Sequence, residues 1–126
     1  MKIQLKRFKE YDIYPLTAIV NEDIANSAYL AWPFTRDDAL MFINDYNTWG
    51  IWANGGMLVG AIEVKKDLET AYLVSKNFQN LGIATKALMM CSEMFGERQL
   101  WCVINPTNKK SLRVAQKAGL RVKFIR

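Results

Sequence analysis

The stretch from Trp49 to Ser75 reads as three strands in succession, with no room for a helix between them. Trp49 to Ala53 and Leu58 to Val64 are apolar runs separated by Asn54, Gly55, Gly56 and Met57. Asparagine and glycine supply the positive φ that a tight turn between strands needs. Lys66 and Asp67 make a second turn, and Glu69 to Ser75 (ETAYLVS) a third strand. Strands joined by such short turns run antiparallel, so the middle of the chain is a meander against which the remaining elements must pack.

On the N-terminal side, Ile3, Leu5 and Phe8 alternate as in a short strand. Tyr14 to Ile24 carries apolar residues at helical spacing, with Pro15 in the tolerated first turn. A loop bearing Ala31, Trp32, Pro33 and Phe34 leads to Thr35, whose hydroxyl can cap a helix with Asp38 three residues on, through Leu40, Met41, Ile43 and Tyr46. On the C-terminal side a helix is expected from Gly82 to Phe95, a buried strand at Leu100 to Ile104 before the breakers Asn105 and Pro106, and a helix capped by Asn108 and stopped at Gly119. Leu120 to Ile125 forms the last strand. The order predicts a single mixed α+β domain over residues 1–126, with a mostly antiparallel sheet of about six strands flanked by four helices.

Composition narrows the chemistry. Of 126 residues, 51% are apolar and 23% charged, a globular balance. There is no histidine, which removes the commonest metal ligand and the usual general base and argues against a metal enzyme or a Ser/His or Cys/His nucleophile. Cys91 and Cys102 lie inside apolar runs and read as core thiols of a reducing cytoplasm. No apolar run is long enough to span a bilayer, and MKIQLKRFKEYD lacks the continuous apolar core of a signal peptide. Charge is asymmetric: residues 1–97 hold nine basic and twelve acidic side chains, residues 98–126 eight basic and none acidic. A cationic segment suits an anionic partner, a phosphorylated small molecule or nucleic acid, and also suits plain solvated surface.

Gln79, Asn80, Leu81, Gly82, Ile83 and Ala84 (QNLGIA) fall between a strand and a helix. The free amides of a first helical turn point outward with the positive end of the dipole behind them, an arrangement suited to a pyrophosphate. The spacing is neither GxGxxG nor a P-loop, and taken alone it is equally a tight turn. A second segment, NPTNKKSLRVAQKAGL, joins a strand end to a capped helix ending in glycine. Together the two segments resemble the GNAT superfamily of N-acetyltransferases, in particular its branch similar to the ribosomal-protein N-terminal acetyltransferases. The resemblance is close over Leu58 to Leu120 and rests on element order before that.

The resemblance implies acetyl-CoA as co-substrate and an amine as acceptor, a protein N-terminus, a lysine or a small molecule. The amides from Gln79 through Asn80, Leu81, Gly82, Ile83 and Ala84 to Thr85 would hold the pyrophosphate. Leu73 and Val74 would bond the pantetheine arm through their backbone, with Val74 also polarising the thioester carbonyl. Asn108 would contact the pantetheine with Ser111 beside it, and Lys86, Lys109 and Lys110 would be candidates for the phosphates of CoA. Trp32 and Phe34 would wall the acceptor side. Attack by the amine is direct, so a base must remove its proton: Glu69 is the first candidate and Glu63 the second. Ser75 and Tyr72 are possible proton relays, although Tyr72 also reads as core.

The sequence departs from the family pattern in two places. Ala115 stands where many members carry a tyrosine that protonates the departing thiolate. The residues also end at Arg126, where the family pattern continues into one more strand, so the expectation is either a neighbouring subunit that covers the exposed edge, as in a homodimer, or an acceptor groove more open than usual. Two other readings of the whole chain stay open: a CoA-binding or partner-binding protein without catalysis, and a basic nucleic-acid module using Arg113, Lys117, Arg121 and Lys123, for which no motif speaks.

Overall fold

A computed structural model describes residues 1–45 and 47–125; Tyr46, expected on the second helix, and Arg126 lie outside them. Strand β1 (Ile3–Lys6) is followed by a 3-10 turn at Glu10–Asp12 and by two helices, α1 (Ile13–Ile19) and α2 (Glu22–Ser27). The sequence pattern predicted one helix here. The break comes at Val20, which is extended (φ −84°, ψ 103°), and at Asn21, whose side chain accepts the Ile24 amide at 2.8 Å. Asparagine favours a cap over a helix interior because its carboxamide competes for nearby backbone groups. There are therefore five α-helices among the described residues, not four.

Helix α3 (Arg36–Asn44) starts as its sequence dictates. Thr35 Oγ1 accepts the Asp38 amide at 3.2 Å and the Asp38 carboxylate accepts the Thr35 amide at 2.9 Å, a closed capping box. Those bonds hold the Asp38 carboxyl below its ordinary range. The meander then forms as β2 (Thr48–Ala53), β3 (Met57–Val64) and β4 (Thr70–Val74), with Asn54, Gly55 and Gly56 at φ 49°, 81° and 136° in the first turn. Strand β1 pairs antiparallel with β2, giving the order β1-β2-β3-β4. Phe8 lies beyond β1 and packs its ring on Phe42 and Trp52.

Helix α4 (Ile83–Phe95), β5 (Trp101–Ile104), α5 (Lys109–Ala118) and β6 (Arg121–Phe124) complete the chain. β6 lies parallel to β5, Trp101 beside Arg121. The two sheets meet through a parallel bridge between Glu69 and Trp101, with the Trp101 amide donating to the Leu68 carbonyl at 3.2 Å and its indole N–H to the Asp67 carbonyl at 2.8 Å. Beyond that bridge β4 and β5 part, and the sheet opens as a fork.

The core lies on both faces. On one, Ile51, Ile62, Val64 and Val74 pack with Leu88 and Cys91 of α4 and Ala115 of α5; on the other, Ala61 and Leu73 meet Leu16, Ile24, Ala39 and Ile43. Each fully buried Leu or Ile stabilises by roughly 1.5–3 kcal/mol. Because strand side chains alternate, Tyr72 and Val74 go with α4 and α5 while Leu73 goes with the first three helices. Among the described residues no helix is long and apolar enough to cross a membrane.

Candidate active site

The fork is built by β4. The Ser75 amide donates to the Val59 carbonyl of β3 at 2.7 Å. In an antiparallel ladder alternate residues turn their backbone groups to opposite edges, so Val74 and Tyr72 direct theirs away from β3, into the opening toward β5. The Val74 carbonyl accepts Gln79 Nε2 at 3.0 Å, consistent with that orientation. Leu73 is turned the other way: a Cβ placed on Gly60 would meet the Leu73 carbonyl oxygen. Of the two residues expected to offer backbone groups, Val74 faces the fork, and Leu73 brings only its side chain to the wall.

At the open end stands the QNLGIA turn. Asn80 and Gly82 have φ of 63° and 79°, and Gly82 caps α4 in the left-handed region. That region is where glycine carries no steric cost, and nothing lies within 4 Å of where a Gly82 Cβ would stand. The first intrahelical bond runs from the Lys86 amide to the Gly82 carbonyl at 3.1 Å. The amides of Ile83, Ala84 and Thr85 are therefore the orphan donors of the first turn, and no side chain caps this helix among the described residues.

Helix α5 closes the other side. Asn108 accepts the Ser111 amide at 3.2 Å through its side-chain oxygen, so the cap uses only one end of its carboxamide, and the residue lines the cleft. The Tyr72 hydroxyl reaches across the fork to Ser111 Oγ at 3.4 Å. Between β4, the turn and α5 lies a cleft of about 760 Å³, whose wall includes Val74, Gln79, Asn80, Gly82, Ile83, Ala84, Thr85, Asn108, Lys110 and Ser111. Residues spread over some forty positions of sequence thus converge.

Other expected residues lie elsewhere. Leu81 is 58% exposed and turned out of the cleft, because the positive φ at Asn80 and Gly82 on either side of it aims the loop at its amides. Ser75 follows the strand end and is off the cleft wall, its amide bound to Val59. Lys86 donates to the Met1 carbonyl at 2.8 Å, one turn into α4 and pointing toward β1. Phe34 packs on the core of the first three helices and Trp32 is exposed. The wall on that side is residues 26–30, at the end of α2, for which the sequence carried no motif. Lys110, Arg113 and Lys117 line the cleft at spacings of three and four, a helical stripe legible in the sequence. Phe78 and Tyr72 also line it.

Two carboxylates border the cleft. Glu63, on β3, has its carboxyl pushed above the ordinary range, first by burial and next by Asp45 at the end of α3, which repels its charge and shares a hydrogen bond. Glu69 pairs with Lys65 at 3.8 Å. The cysteines are buried; burial raises the Cys91 thiol to about 11 and pushes Cys102 up as well, with Glu69 adding to the latter.

Comparison with known proteins follows from this geometry. The family model for an acetyltransferase (GNAT) domain matches residues 2–121. No curated protein matches the chain. Among solved structures, the microcin C7 self-immunity acetyltransferase MccE, in complex with acetyl-CoA and AMP, superimposes with a TM-score of 0.71 at 20% identity, covering 94% of this chain and 78% of that one. The PaiA N-acetyltransferase from Thermoplasma acidophilum, in complex with coenzyme A, gives 0.64 at 11% identity over 93% and 88%. Likeness at these identities speaks for a shared fold.

Proposed function

The chain belongs to the acetyltransferase (GNAT) domain family, and from that premise we propose that it moves an acetyl group from acetyl-CoA to a primary amine by direct attack. The observation that carries the proposal is the pairing of a forked sheet with an uncapped helix start at one cleft. The amides of Ile83, Ala84 and Thr85, backed by the α4 dipole, take the pyrophosphate, and Lys110 adds positive charge. The pantetheine arm enters the fork as a short strand beside β4, with Asn108 and Ser111 against it. Gln79 releases or keeps the Val74 carbonyl as the arm arrives, and the Val74 N–H polarises the thioester carbonyl.

The amine approaches from the face of the first three helices, along residues 26–30, with Trp32 two residues beyond at the rim. A lysine has a pKa of about 10.4 and a protein N-terminus about 7.7–8.0, so a base is needed most for lysine. We assign it to Glu63 ahead of Glu69: burial and the neighbouring Asp45 raise Glu63's carboxyl above its ordinary range and make it the stronger base, whereas Glu69 is held by Lys65. The resemblance of QNLGIA and NPTNKKS to the ribosomal-protein N-terminal acetyltransferase branch supports a protein N-terminus as the first acceptor to try.

Incubation with labelled acetyl-CoA and a library of amine acceptors, including N-terminal peptides, tests the reading. Label transferred to an amine and free thiol released in equal amount is the expected result. Ala115 motivates a second reading, binding without transfer, which predicts saturable acetyl-CoA binding and no labelled acceptor.

A further inference from the structure

When the amine nitrogen bonds to the acetyl carbon, the C–S bond breaks and its electron pair leaves on sulfur. A proton on that sulfur prevents the reverse reaction. Helix α5 offers no donor at Ala115, which is buried and carries no polar atom. The structure does place one hydroxyl pair across the same opening. Tyr72 extends from β4 to Ser111 on the first turn of α5, and the two hydroxyls bridge the space that a pantetheine arm must enter.

We propose that Tyr72, with Ser111 behind it, is the proton donor to the departing CoA thiolate. The assignment rests on the acetyl-transfer reading above. Three observations carry it. Tyr72 and Val74 both sit on the fork-facing edge register of β4, two residues or about 6.5 Å apart, so the phenol rises from the strand close to the amide that polarises the carbonyl. The Tyr72–Ser111 contact, at 3.4 Å, is longer than the roughly 2.7–2.8 Å of a settled hydroxyl–hydroxyl bond; the phenol proton is only weakly committed and free to turn to a sulfur arriving between them. Finally, Ser111 Oγ lies at the wet end of α5, so after donating its proton the phenolate regains one from solvent through that hydroxyl. Atoms balance: the amine proton goes to the base, the phenol proton to sulfur, and a solvent proton returns to Tyr72.

The phenol's surroundings agree with a donor role. Burial raises its pKa, and Cys102 adds to the shift while the Ser111 bond opposes it, so it is protonated at neutral pH. The other charged groups on the cleft wall are Glu63 on β3, Lys65 just past β3 and paired with Glu69 beside β4, and Lys110, Arg113 and Lys117 on α5.

The test compares wild type, Tyr72→Phe and Ser111→Ala, each checked for folding by circular dichroism and for acetyl-CoA affinity by calorimetry. A general acid contributes about 100-fold or more to rate. Tyr72→Phe should lose about that much kcat with acetyl-CoA affinity within a few-fold, and the alkaline fall expected of wild type as the phenol loses its proton should be absent from it. Ser111→Ala should lose less. An acetyl thioester of a more acidic thiol, which leaves without help, should shrink the Tyr72→Phe defect. Wild-type kcat and an unchanged alkaline limb in Tyr72→Phe overturn this assignment alone. Should Tyr72→Phe misfold, an unchanged kcat and alkaline limb in Ser111→Ala overturn the relay instead. A wild type that binds no acetyl-CoA overturns both this assignment and the reading beneath it.

Discussion

Helices α3 and α4 begin in opposite ways. At α3, Thr35 and Asp38 exchange bonds with each other's backbone, and the start is closed by its own side chains. At α4, Gly82 turns the chain in with a left-handed φ, contributes no side chain, and leaves the first-turn amides aimed into a cleft. A helix start that serves only the fold satisfies its donors locally. One left open beside strands that also part has donors free to meet an anion, which is the role proposed for it above. Helix α5 is intermediate: Asn108 caps it with one end of its carboxamide and also lines the cleft.

This contrast can be broken or sharpened by experiment. The largest effect is expected at Gly82. A valine there must adopt φ near 79°, at a cost of about 1–2 kcal/mol, which a domain stable by roughly 5–15 kcal/mol survives. With the turn kept, the isopropyl group fills the open space beside the first-turn amides and blocks close approach to them, so Gly82→Val should abolish measurable acetyl-CoA binding by calorimetry while its circular dichroism stays native. Next comes Glu63→Gln, expected to lower kcat by about 100-fold with acetyl-CoA affinity unchanged.

The same variant has a pH signature. Because the folded protein raises the Glu63 pKa, its stabilising contribution is present below the ordinary carboxylate range and is lost as pH rises through the raised value. Glu63→Gln should therefore melt higher than wild type at pH 7 and alike at pH 3. A smaller effect belongs to the closed helix start: Thr35→Ala should cost about 1 kcal/mol of stability in urea denaturation and leave acetyl-CoA affinity untouched. The smallest is at Cys91, whose buried thiol, raised to about 11, should react with a thiol reagent only as fast as the protein unfolds.

What the sequence revealed follows the same division between local and distant causes. The Asn54-Gly55-Gly56 turn, the Thr35–Asp38 box, the Asn108 cap and the Gly119 stop were legible because each is decided by the φ or hydrogen bonds of a few adjacent residues. QNLGIA was legible for the same reason. The break at Val20 and Asn21 was hidden because the apolar spacing runs across it unbroken. The fork itself was out of reach: it depends on Glu69 meeting Trp101 and on β4 and β5 then parting, a pairing set by packing on both faces. So did the Tyr72–Ser111 pair, thirty-nine residues apart, and the wall at residues 26–30. Trp32 and Phe34 showed where the loop was, and nothing in their order showed which way it would face.

The central claim is that the α4 start is the open one. A titration of isotope-labelled protein with acetyl-CoA, followed by amide NMR, addresses it at both helices in one experiment. The account predicts that the amides of Gly82, Ile83, Ala84, Thr85 and Val74 shift and saturate together while those of Arg36, Asp37 and Asp38 stay in place. Saturable binding that leaves the Gly82–Thr85 amides unmoved would contradict it.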